Sequence, residues 1–137
     1  MNILFLGAPG SGKGTQSKNI EEKFKIPQIS TGDLLRAETA SESKMGQELK
    51  NIMSSGKFVS DDIVLKLVSK KITSSDCKNG FILDGFPRNL SQASSLDSLL
   101  RELNLSIEYV FLIDVPADLI IKRCVGRITC NTCGKIE

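Results

Sequence analysis

The stretch "GAPGSGKGT" at residues 7–15 follows the apolar run "NILFL" (2–6) and leads into a helical pattern, and its reading decides the fold. Four of its nine residues are glycine and one is lysine. Gly7-x4-Gly12-Lys13, placed between a strand and a helix, is a phosphate-binding loop. Glycines let backbone N–H groups converge on an anion, the helix N-terminus adds partial positive charge, and Lys13 reaches the outer phosphate oxygens. Gly14 stands where a magnesium-binding hydroxyl is usual, and the hydroxyl comes one place later, at Thr15. A carboxylate elsewhere must then share the metal. Two apolar runs end in one, "FILD" at Asp84 and "YVFLID" at Asp114.

Outward from the loop, apolar runs alternate with helical patterns. "QIS" (28–30), "FILD" (81–84) and "YVFLID" (109–114) read as strands. Helices are expected from Lys13, with Ile20 and Phe24 on one face, and as a pair between Leu34 and Gly56. Further helices are expected after Ser60-Asp61-Asp62, from Asn89 to about Leu103, and from Pro116 to about Val125. That alternation implies an α/β fold, a parallel sheet covered by helices.

The chain has 137 residues, 40% hydrophobic and 25% charged, with net charge +2. These values describe one ordinary globular domain and give no argument for nucleic acid or a membrane surface as partner. The short apolar start is neither a leader nor a membrane span, so a cytoplasmic location is expected. Histidine is absent from the sequence, which excludes imidazole as a base or metal ligand.

"GAPGSGKGT", "ISTGDLLR" (29–36), "DGFPR" (84–88) and "GR" before a cysteine pair (126–133) occur in the order and spacing of adenylate kinases, which the whole chain resembles. It is similar to the long bacterial type whose lid carries zinc. The resemblance implies a three-layer α/β/α P-loop core with a central parallel sheet. Residues 1–29 and 60–125 would form that core, 30–59 an AMP-binding insert, and 126–137 the start of a lid that breaks off unfinished. It also implies transfer of the ATP γ-phosphoryl to AMP, giving two ADP, with Mg2+ and no general base, by a monomer.

Residue by residue, the resemblance puts Gly10, Ser11, Gly12, Lys13, Gly14 and Thr15 on the ATP phosphates, with Arg123, Arg127, Ile136 and Glu137 on the same side. It puts Thr31, Arg36, Lys57, Phe58, Val59, Gly85, Phe86, Pro87, Arg88 and Gln92 around AMP. Lys13, Arg36, Asp84, Arg88, Arg123 and Arg127 would serve the transfer, with Asp84, rather than Asp114, linked to Mg2+ through water. An anionic phosphate acceptor needs no base, which agrees with the missing histidine.

Other readings of these residues stay open. Asn89-x-x-Gln92 is also a capping box, and Arg123 and Arg127 lie where a helix C-terminus favours cations. UMP/CMP kinases share the plan, but Thr31 and the cysteine pair favour AMP; an inactive nucleotide-binding fragment is a further alternative. Cys130 and Cys133 have the spacing of a zinc knuckle but supply two of four ligands, and a redox pair is the other reading. Cys77 and Cys124 fall on core elements, where buried thiols are expected.

Overall fold

The computed structural model describes residues 1–57, 59–128 and 130–133. Strand β1 (Asn2–Leu6) runs into the glycine loop and helix α1 (Lys13–Phe24). Then come β2 (Gln28–Ser30), α2 (Thr31–Ala40), α3 (Lys44–Ser54) and α4 (Asp61–Ile72). The chain continues through β3 (Phe81–Asp84), α5 (Leu90–Glu102), β4 (Tyr109–Leu112) and α6 (Ala117–Val125). The strands form one parallel sheet in the order β2-β3-β1-β4.

Alternation along β1 divides the core between the two sheet faces. Leu4 joins Ile29, Phe81 and Leu83 under Val68 and Ile72 of α4 and Leu96 and Leu100 of α5. Ile3 and Phe5 point the other way, packing with Ile26 and Ile82 and, from α1, Ile20. Helices thus cover both faces, and β3 is buried along all four residues. The α/β architecture expected from the sequence is the one observed.

Local signals set the helix starts. Ser60 Oγ accepts from Ile63 N at 3.4 Å, Ser43 Oγ from Gly46 N at 3.0 Å, and Asn89 Oδ1 from Gln92 N at 2.8 Å. Helices α2 and α3 pack as a pair, with Leu49 fully buried. Gly46 permits that contact, since a Cβ there would lie 2.2 Å from the Glu38 carbonyl oxygen.

Three details differ from the sequence reading. Phe24 is 48% exposed rather than sharing a buried face with Ile20, because α1 ends there, with Lys25 in the left-handed region at φ 56. The α2 helix begins at Thr31, three residues before Leu34. Strand β4 ends at Leu112, and its four residues are exposed because, unlike the other edge strand β2, it has no helix packed closely on it among the described residues.

Candidate functional site

The sheet register brings the decisive residues to one end of the sheet. Phe5 pairs with Asp84 and Ser30 with the same residue, so β1, β2 and β3 finish together. In a parallel sheet this carboxyl edge is where ligands bind. An open cleft of about 400 Å3 lies there, lined both by Gly7, Pro9 and Lys13 and by Gly85, Pro87 and Arg88. Residues of the two sequence motifs thus line one space.

Gly12 caps α1 in the left-handed region at φ 96, where a side chain would strain the backbone. Lys13 opens the helix, and its Nζ stands 3.2 Å from Asp84 Oδ1. Asp84 Oδ2 accepts from Gln28 Nε2 at 2.8 Å. Among the described residues, Ser11 Oγ and Asp84 Oδ1 are the buried side-chain polar atoms with no hydrogen-bond partner. Such atoms are costly unless a ligand engages them. A hydrated Mg2+ with polyphosphate fits this set: Gln28 holds one carboxylate oxygen, and the other has only its ion pair with the Lys13 ammonium, a cation that phosphates would also engage. Gly14 borders the same carboxylate, since a Cβ on it would lie 3.7 Å from Asp84 Oδ2. Thr15 is exposed one residue further along α1, and Asp114 is exposed beyond the end of β4.

In the second motif, Arg88 Nε donates to the Gly85 carbonyl at 2.8 Å. Thr31 is buried, and Gly85 lies between it and Arg88: a Cβ there would be 3.6 Å from Thr31 Oγ1 and 3.5 Å from Arg88 Nη2. Arg36 is exposed and pairs with Asp33 one turn earlier on α2. Phe86 is 1% exposed and belongs to the core, so it lies beneath the cleft residues Gly85, Pro87 and Arg88 rather than among them. Its bond to Pro87 is cis. Lys57 is exposed and Val59 half-buried on the α3–α4 connection, while Phe58 lies outside the described residues.

Gln92 is buried and joins three elements. Its Oε1 accepts from Arg88 N at 2.7 Å, and its Nε2 donates to Asp61 Oδ1 at 2.7 Å. The capping box is therefore displaced: the side chain reaches back to Arg88, one residue before the cap Asn89.

Behind the loop, Arg123 Nη1 donates to the Gly10 carbonyl at 3.3 Å, and Arg127 is exposed just past α6. Cys124 is exposed, contrary to the buried thiol expected, because its face of α6 meets only the loop; its Sγ donates to the Pro9 carbonyl at 3.3 Å. Cys77 is buried as expected, and burial pushes its thiol pKa up. Cys130 and Cys133 are exposed. The Cys130 thiol is pulled down by backbone N–H groups of Cys133 and Thr132 that favour its thiolate. Ile136 and Glu137 lie outside the described residues.

Two partners escaped the sequence reading. Gln28 on Asp84 and Asp61 on Gln92 are each set by contacts between residues 56 and 31 positions apart. No local pattern carries such pairs.

The sequence matches the family "Adenylate kinase" over residues 5–135. The chain belongs to the adenylate kinase family. It is 52% identical over 136 residues to the adenylate kinase of Thermodesulfovibrio yellowstonii, covering 99% of this chain and 63% of that one. To the adenylate kinase of Archaeoglobus fulgidus it is 48% identical over 136 residues, with the same coverage of 99% and 63%. That of Fusobacterium nucleatum is 49% identical over 136 residues, covering 99% and 64%. The chain thus spans less than two thirds of the length of these relatives. Among the described residues, no helix is long and apolar enough to cross a membrane.

Proposed function

We propose that the protein transfers the γ-phosphoryl group of MgATP to AMP, giving two ADP. The observation that carries this reading is the cleft lined both by Gly7, Pro9 and Lys13 of the phosphate loop and by Gly85, Pro87 and Arg88. Gly10 to Thr15 and Lys13 would hold the donor phosphates. Thr31, Arg36, Arg88 and Gln92 would hold the acceptor, with Lys57 to Val59 closing over it from the insert at residues 30–59. Arg123 and Arg127 would complete the donor side.

The acceptor phosphate is already anionic near neutral pH, since its second pKa is about 6. The chain's task is therefore to bring two anions together and to stabilise charge on the moving phosphoryl. Lys13 and the arginines supply positive charge, and Asp84 would hold Mg2+ through water. Mg2+ bound there would supply positive charge that offsets the charge of the phosphates. Cys130 and Cys133 fit half of a structural zinc site, and a monomer in the cytoplasm is the setting this reading implies.

The test is ADP formation from ATP with AMP, CMP, UMP or GMP as acceptor, using the purified chain. ADP from AMP alone supports the reading, whereas faster reaction with UMP or CMP overturns the acceptor. Nucleotide binding without turnover is the other outcome that the assay distinguishes. Binding of ATP and AMP with no ADP formed would establish it.

A further inference from the structure

We propose that Asp61 is a positioning residue for nucleobase recognition, fixing the orientation of the Gln92 carboxamide so that it accepts adenine and rejects its 6-oxo counterparts. This inference rests on the reading of Gln92 as part of the acceptor site. A carboxylate can only accept, and a backbone N–H can only donate. Asp61 Oδ1 therefore faces the amide nitrogen of Gln92, at 2.7 Å, and Arg88 N faces its oxygen, also at 2.7 Å. Either group alone biases the amide; together they leave it one orientation. Asn89 Oδ1 holds the Gln92 backbone N–H at 2.8 Å, so the residue is fixed at both ends.

After these bonds the carboxamide keeps one N–H and one acceptor lone pair. That couple matches the N1 acceptor and N6–H donor of adenine, in the way a glutamine amide can pair bidentately with an adenine edge. Hypoxanthine and guanine present the reverse, an N1–H donor and an O6 acceptor. An amide free to turn over would accommodate either. Asp61 is exposed on the first residue of α4, so its effect on the base passes through Gln92.

The test is calorimetric titration of the chain with AMP and with inosine 5′-monophosphate, for the unsubstituted protein, Asp61→Asn and Asp62→Asn. The amide introduced by Asp61→Asn can offer Gln92 either a donor or an acceptor, whereas Asp62→Asn removes the same charge from the same helix start without touching Gln92. The expected result is a preference for AMP that narrows roughly fivefold or more in Asp61→Asn and is unchanged in Asp62→Asn. Equal narrowing in both variants, or none in either, overturns the inference while leaving the acceptor site intact. If the unsubstituted chain binds neither nucleotide, the acceptor reading fails and the inference with it. Both replacements are exposed, and thermal melting certifies that the fold is kept.

Discussion

Replacing Asp84 by asparagine separates two roles that the structure gives to one carboxylate. Without nucleotide, Asp84 is the partner of Lys13, with 3.2 Å between charges and side chains 10% and 21% exposed, respectively. At an effective dielectric of about 20, that spacing corresponds to roughly 5 kcal/mol of gross attraction. Metal-free ATP must draw the ammonium away from Asp84 and also meets the carboxylate's own repulsion. Desolvation and solvent screening reduce the net cost, leaving about 1–2 kcal/mol, a factor of roughly 5 to 30. The amide introduced by Asp84→Asn keeps an oxygen for Gln28 Nε2, so the loop should hold its shape. With EDTA, Asp84→Asn is therefore expected to bind ATP more tightly than the unsubstituted chain, by about that factor. With Mg2+ the order should reverse, because the variant lacks the charge that would hold the metal's water. Calorimetric titrations in the two buffers measure both. Equal weakening in EDTA and in Mg2+ would refute the reasoning and make Asp84 a structural support only.

Gly12→Ala places a side chain at φ 96 but meets no atom within 4 Å. It should cost about 1–3 kcal/mol of backbone strain, read as a lowered melting temperature, and weaken ATP binding in titration. Leu49→Ala empties a fully buried position between the paired helices and should lower stability by about 2–5 kcal/mol in urea unfolding. Iodoacetamide should modify Cys130 faster than Cys77, as peptide mapping over time would show. The Cys130 pKa is lowered, so its thiolate and its reactivity persist to lower pH than for an ordinary thiol, while Cys77 needs higher pH.

Much of the fold was legible because its signals are local. "NILFL" against the glycine loop fixed β1 and α1, and the caps at Ser60 and Asn89 lie where their side chains announce them. The sheet order was not legible, since β3 lies between β1 and β2 only through pairing of distant segments. "YVFL" read as an apolar strand, and residues 109–112 form one that is 43–71% exposed. Hydrophobicity states a preference, and a neighbouring element must exist to satisfy it. Of the candidate site, the loop lysine, Asp84 and Arg88 were readable as motifs. The partners Gln28 on Asp84, Asp61 on Gln92, and the carbonyls of Gly85 and Gly10 on Arg88 and Arg123 were not, because any polar group brought close by the fold could fill those places.

Those partners share a property that bears on binding. Lys13 rests on Asp84, Arg36 on Asp33, Arg88 on the Gly85 carbonyl, and Arg123 on the Gly10 carbonyl. Each of these four cations is already engaged by an acceptor of the chain itself. A phosphate competes with a carboxylate at Lys13 and Arg36, whereas Arg88 and Arg123 keep further N–H donors beside those given to the carbonyls. The exchange favours a doubly charged phosphate over an exposed pair such as Arg36 with Asp33, which is worth at most about 1 kcal/mol. It is less favourable at Lys13, whose partner is nearly buried. Donor and acceptor sides should therefore differ in salt response: added salt screens the exposed Arg36–Asp33 pair along with the phosphate, and leaves the Lys13–Asp84 pair closer to full strength. AMP affinity should consequently fall less steeply with ionic strength than that of metal-free ATP, whose larger charge is screened while its internal competitor is not. Titrations of both nucleotides at low and high KCl would measure the two slopes, and a steeper slope for AMP would count against this account of the site.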